Sequence, residues 1–209
     1  MNGPRPLIFI VDDDVSIRES LEPLMLAAGW KPEVFSSGQD FLARPRPHSP
    51  SCLVLDVSMP DLNGLELQKH VAGDQAEMPI IFLTGHGDIP MTVRAMRAGA
   101  VEFLTKPFAP DVLLGAIRTA LERSRATLDE QAELQVLRDR YATLSGRERE
   151  VMGLVVRGQL NKQIGGELGI SEITVKAHRG RMMRKMHARS VPQLVNIATR
   201  LRLETSAKT

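Results

Sequence analysis

Leu7-Ile8-Phe9-Ile10-Val11-Asp12-Asp13-Asp14 runs five consecutive apolar residues straight into three acids. An apolar run without alternation reads as a strand covered on both faces, as in a parallel sheet. Acids at the carboxyl end of such a strand sit where open parallel sheets build their sites. The pattern recurs outward from there. Cys52-Leu53-Val54-Leu55 ends on Asp56, Ile80-Ile81-Phe82-Leu83 ends on Thr84, and Val101-Glu102-Phe103-Leu104 is followed closely by Lys106-Pro107. Glu33-Val34-Phe35 supplies a weaker fifth strand. Helical patterning lies near 15–28, 38–43, 64–71 and 89–98. Strand and helix in alternation imply right-handed crossovers, hence an open parallel α/β sheet with helices on both faces.

The remaining composition bounds the alternatives. At 209 residues the chain accommodates two domains, and 43% apolar with 25% charged residues is a globular balance rather than a disordered one. No stretch approaches the ~20 apolar residues of a membrane span. The start, Met1-Asn2-Gly3-Pro4-Arg5-Pro6, lacks a signal-peptide layout. Cys52 is the only cysteine, which excludes an internal disulfide and a cysteine-built metal site. A soluble, cytoplasmic protein without a membrane partner is expected. Residues 1–125 hold 12 Lys/Arg against 16 Asp/Glu, whereas 126–209 hold 15 against 9. An acidic first half fits a cation, a basic second half nucleic acid.

The strand-end residues predict a chemistry. Carboxylates ~4 Å apart repel by about 4 kcal/mol at an effective dielectric of ~20. Gathering Asp12, Asp13 and Asp56 therefore calls for a divalent cation, and all-oxygen ligands favour Mg2+ or Mn2+. With Lys106 to neutralise oxygens and Thr84 to donate to one, the set suits phosphoryl transfer, Asp56 acting as nucleophile to form an acyl phosphate. Gly85 leaves room for the incoming group. Each residue alone has a plainer reading: Asp14 a helix N-cap, Asp56 to Asp61 a strand end and turn, Lys106-Pro107 a bend. Their convergence at one sheet edge favours the site.

Val11-Asp12-Asp13-Asp14, Leu55-Asp56-Val57-Ser58-Met59-Pro60, Thr84-Gly85-His86-Gly87 and Lys106-Pro107-Phe108 resemble the receiver domain of two-component response regulators, over about 5–125. The resemblance implies a flavodoxin-like, five-stranded parallel sheet and phosphorylation of Asp56 by a sensor histidine kinase. It also implies Mg2+ among Asp12, Asp13, Asp56 and the Ser58 carbonyl, a cis Lys106-Pro107 bond, and a Thr84/Phe103 switch pair. Haloacid-dehalogenase-like phosphatases share much of this set but need an Asp two residues after the nucleophile, where Ser58 stands. The chain is not expected to be an enzyme. A receiver that acts as an inert dimerisation module is the competing class, and the intact acidic pocket argues against it.

Residues 116–145 contain neither Gly nor Pro, so the last helix of this domain is expected to continue into a helical connector, 126–140. Four helices follow, near 147–157, 161–168, 172–186 and 191–202. Ser145/Glu148 and Ser190/Gln193 have capping-box spacing. The tail from Glu204 is expected to fray. At 100° per residue, Val175, His178 and Met182 share one side of the third helix; Ile173, Lys176, Ala177, Gly180 and Arg184 share the other, flanked by Thr174, Arg179, Arg181 and Lys185. Short residues between long cations suit a major groove. A solvated basic helix in a small bundle is the plainer alternative.

Leu144-Ser145-Gly146-Arg147-Glu148, Asn161-Lys162-Gln163-Ile164 and Ile170-Ser171-Glu172-Ile173-Thr174-Val175-Lys176-Ala177-His178 resemble the LuxR-type DNA-binding domain, over about 141–205. Together with the receiver this is the pattern of the NarL/FixJ family, and His86 to Met91 leans toward the FixJ branch and styrene-catabolism-type regulators. The resemblance implies that Lys176 and Ala177 approach bases and Lys162 a phosphate, with Thr174, Arg179, Arg181 and Arg184 beside them on double-stranded promoter DNA. It further implies a homodimer on phosphorylation and contact with RNA polymerase. Gly180 departs from the usual polar residue, and Gly165-Gly166 implies a softer second helix.

Overall fold

The computed structural model describes residues 5–45, 47–60, 63–73, 78–85 and 89–203. Met1 to Pro4, Asp61, His86 to Asp88 and the tail from Glu204 lie outside the described residues. Two compact units divide the chain, Met1–Asp129 and Glu130–Thr209. Among the described residues, no helix is long and apolar enough to cross a membrane.

The first unit is built from β1 (Leu7–Val11), α1 (Val15–Ala27), β2 (Lys31–Phe35), α2 (Gly38–Leu42), β3 (Ser51–Asp56), α3 (Gly64–Gly73), β4 (Ile80–Thr84), α4 (Ile89–Arg97), β5 (Glu102–Thr105) and the start of α5 (Pro110–Ala142). All strand pairs are parallel, in the order β2-β1-β3-β4-β5. Every residue of β1, β3 and β4 is buried, because helices cover both faces. The pleat sorts them. Phe9, Val11, Leu53, Leu55 and Phe82 pack with Leu67, Val71 and Ala95 of α3 and α4. Ile8, Ile10, Val54, Ile81 and Leu83 pack on the other face with Leu21 and Met25 of α1 and Leu113 and Ile117 of α5. β2 starts at Lys31, two residues before the expected strand; Lys31 and Pro32 mask it in sequence, and an edge strand tolerates the proline. The chain switches direction across the sheet between β1 and β3, so the ends of those two strands border the crevice where such folds bind.

Helix α5 runs unbroken through the expected connector. In the second unit α6 (Gly146–Val156), α7 (Asn161–Leu168), α8 (Glu172–Lys185) and α9 (Val191–Arg200) enclose Leu137, Leu144, Val151, Met152, Val175 and Met182. Ser145 and Glu148 form the complete capping box. The one at Ser190 is only half formed. Its hydroxyl accepts the Gln193 N–H, but the longer Gln193 side chain passes the cap and accepts from the Arg189 N–H at 2.8 Å.

The paired glycines of α7 have different reasons. A Cβ on Gly165 would stand 2.8 Å from the Ile170 carbonyl oxygen, whereas one on Gly166 would meet nothing within 4 Å. Gly165→Ala is therefore expected to destabilise the second unit by about 1–3 kcal/mol. Gly166→Ala should stabilise it by about 0.5–1 kcal/mol. Urea melts of the full chain followed by far-UV circular dichroism check both signs.

Candidate functional site

β1 and β3 end side by side, Val11 opposite Leu55, which brings Asp12 and Asp56 together at the sheet's carboxyl edge. Both are buried. Lys106, just beyond β5, extends its ammonium between them and donates to Asp12 Oδ2 and Asp56 Oδ1, each at 2.7 Å. The other oxygens are also engaged: Asp12 Oδ1 accepts the Asp14 N–H at 2.9 Å and Asp56 Oδ2 the Ser58 N–H at 2.6 Å. Lys106 is itself fixed by its backbone N–H, which donates to the Thr84 carbonyl at 2.7 Å. The peptide bond that follows, to Pro107, is cis.

Burial pushes the Asp12 carboxyl above the ordinary carboxylate range, although Lys106 and the Asp14 N–H pull it down. Burial alone would lower the Lys106 ammonium, yet bonds to the two carboxylates together hold its proton more tightly than usual. The pocket is thus an anionic pair offset by one shared cation.

Thr84 is fully buried at the end of β4. Phe103 of β5 pairs in register with Phe82, and their ring centroids are 6.1 Å apart. Because Phe82 and Thr84 are two residues apart on one strand, Thr84 and the half-buried Phe103 project on the same face of the sheet. Asp14 caps α1 by accepting the Ser16 N–H, the plainer reading given to it.

Among the described residues no three carboxylate, imidazole or thiol groups meet closely enough to chelate an ion. Asp12 and Asp56 flank the Lys106 ammonium, which offsets their charge, while Asp13 and Ser58 are exposed. The donors nonetheless fit a hard cation: carboxylates and a backbone carbonyl, with Asp12 held in a site that burial makes unfavourable for its charge.

Sequence reasoning missed two contributors. The Arg18 guanidinium, one turn into α1, donates to the Asp12 carbonyl at 2.5 Å and anchors the loop that carries the acids. At Gly64 a Cβ would lie 2.5 Å from the Asp56 carbonyl oxygen, so only glycine lets α3 start against the Asp56 backbone. Neither has a periodic signature. A lone glycine at a helix start was the only trace of the second.

In the second unit, α7, the left-handed Gly169 (φ 66°) and α8 form a helix-turn-helix. Lys162, Lys176, Ala177, Arg181 and Arg184 are exposed. Lys176 is paired with Glu172 one turn back, at 3.4 Å, in an exposed ion pair of small worth. Two expected DNA contacts are engaged elsewhere. The Thr174 hydroxyl lies 2.8 Å from that of Ser171, the α8 N-cap, and Arg179 donates to Asn161 Oδ1 at 3.0 Å, tying α8 to α7. Val175 and Met182 are buried and His178 half-buried, as the apolar side requires.

Residues 8–118 match the family described as response regulator receiver domain, and 142–198 that of bacterial regulatory proteins, luxR family. Nodulation protein W of Bradyrhizobium diazoefficiens is 47% identical, over 94% of this chain and 87% of its own length. Transcriptional regulatory protein FixJ of the same organism is 41% identical, over 92% and 94%. A low-resolution structure of the response regulator StyR superposes with a TM-score of 0.81 at 46% identity, over 93% of this chain and 98% of that one. The chain belongs to the response regulators that join a receiver to a LuxR-type DNA-binding domain, a family of transcription factors and not of enzymes.

Proposed function

We propose that this regulator is switched by phosphorylation of Asp56 by a sensor histidine kinase. The observation that carries the reading is the Lys106 ammonium, 2.7 Å from both Asp12 and Asp56. An Asp56 carboxylate oxygen attacks phosphorus, the bond from phosphorus to the donor imidazole nitrogen breaks, and its electron pair stays on that nitrogen. Lys106 offsets charge on the transferring oxygens, and the Thr84 hydroxyl donates to one of them. Asp12, Asp13, Asp56 and the Ser58 carbonyl would hold Mg2+ or Mn2+, which would supply further charge neutralisation there. As Thr84 moves toward the phosphoryl group, Phe103 turns inward behind it, and the receiver shifts between two states.

The division of labour is a receiver over 5–125, a helical connector over 126–140 and a DNA-binding domain over 141–205. Exposed Ile89, Val93 and Met96 on α4 support dimerisation through the α4–β5–α5 face. The dimer then places two copies of α8 on double-stranded promoter DNA and engages RNA polymerase to activate transcription in the cytoplasm. Lys176 leaves Glu172 for a base, with Ala177 beside it; Lys162 meets a phosphate, and Thr174, Arg179, Arg181 and Arg184 flank the contact. Lys176→Ala should weaken specific binding by about 1–3 kcal/mol, with a smaller loss on random DNA at the same salt. Fluorescence anisotropy on the two duplexes measures the difference.

Sedimentation of the full chain with Mg2+ and beryllofluoride, a phosphoryl mimic, tests the switch. The wild type is expected to dimerise and Asp56→Asn to stay monomeric. An unchanged wild-type monomer, with unchanged DNA affinity, would overturn the reading.

A further inference from the structure

Ile173 is the second residue of α8 and is 80% exposed. It has no local task that explains an isoleucine. Ser171 already caps the helix, and a β-branched residue adds little to helix propensity. Nor does it join the core, whose contributions from α8 are Val175 and Met182 with Met183 at its edge. Its position is specific: residues three and four apart share a helix face, so Ile173 stands over Lys176 and Ala177. The apolar side chain is therefore set beside the exposed cation of Lys176 and the methyl side chain of Ala177.

We propose that Ile173 selects thymine by packing against its C5-methyl group in the major groove. The assignment rests on the reading of α8 as the helix that enters that groove, where N-terminal residues of such a helix reach base edges. Cations along the same face meet the phosphates and fix the polyanion as the occupant. Among the groups that base pairs present in the major groove, the thymine methyl is the apolar one. An exposed isoleucine at this point thus discriminates thymine from cytosine by burial, where Lys176 discriminates by hydrogen bonding. Leu160 is also strongly exposed, but it precedes α7 and lies off the α8 face, which makes it a control for lost apolar surface.

The full chain, with Mg2+ and beryllofluoride, is used to select duplexes from a random library, and the selected site is remade with single thymines replaced by uracil. Uracil removes the methyl group and nothing else. One thymine per half-site is expected whose replacement weakens wild-type binding about fourfold, the worth of one buried methyl. Ile173→Ser should be indifferent to that replacement and should relax the base preference there in selection, while Ile173→Val and Leu160→Ser keep the wild-type profile. Wild-type indifference to every uracil, or equal sensitivity in Ile173→Ser, would overturn the assignment. A wild type that enriches no sequence would overturn the groove reading of α8 instead, and the assignment with it.

Discussion

Lys106→Met is expected to destabilise the first unit by about 3 kcal/mol at neutral pH, because it strands two buried carboxylates without their shared cation. The loss should depend on pH in a particular direction. Burial already holds the Asp12 carboxyl above its ordinary value against the pull of Lys106. Without Lys106 that folded-state value rises further above the unfolded one. An acid whose folded value is raised binds more protons in the folded state, so folding is favoured as pH falls through the folded value toward the unfolded one. The variant should therefore regain more stability than the wild type as pH is lowered from about 8 to about 5. Urea melts followed by the fluorescence of Trp30, the single tryptophan and a residue of the first unit, read this out. A deficit that is the same at both pH values would show that Lys106 acts through packing alone. The same variant should lose nearly all phosphorylation, since the cation that opposes charge on the transferring oxygens is gone.

Glu148→Gln is expected to cost the second unit about 2 kcal/mol. Glu148 is buried at the start of α6, where it accepts from the Ser145 N–H at 2.9 Å and from Lys185 of α8 at 2.7 Å. Lys185 also donates to the Thr143 carbonyl at 3.0 Å, so one ammonium joins the end of α8 to the segment before α6. The Lys185 bond, followed by the Ser145 N–H, holds the Glu148 carboxyl down to about 2 from an ordinary 4.5. A depressed acid contributes stability that is present above the unfolded value and is lost as pH falls through the folded one. The wild-type second unit should thus weaken between about pH 5 and pH 2, and Glu148→Gln should lack that component of the loss. Lys185 is 39% exposed, and solvent there keeps the effect near the lower end for a charged hydrogen bond. Far-UV melts over this pH range, with parallel wild-type and variant curves as the contrary result, decide the matter.

The parts legible in sequence were those with a local or periodic signature. β1, β3 and β4 are continuous apolar runs because helices bury both their faces, and Asp12, Asp56, Thr84 and Lys106 could be gathered because strand ends share one edge. The fold and the carboxylate–lysine cluster follow from that. Other features arise from contact between distant segments. Lys31 and Pro32 join β2 only because an edge strand needs hydrogen bonds on one side. Arg18 on the Asp12 carbonyl, and Gly64 against the Asp56 backbone, are close approaches that no spacing announces. On α8, helical periodicity identified the exposed face but not that Arg179 is held by Asn161 or that the Thr174 hydroxyl meets Ser171.

The central claim is that Asp56 carries the phosphoryl group. Incubating the full chain with Mg2+ and a phosphorylated sensor-kinase domain or small acyl phosphate, then reducing with borohydride, converts an aspartyl phosphate to homoserine at the site of attachment. Peptide mass spectrometry should find homoserine at position 56 and at no other aspartate. Homoserine at Asp12 or Asp13, or none in a chain that has been shown to dimerise under the same conditions, would contradict the account.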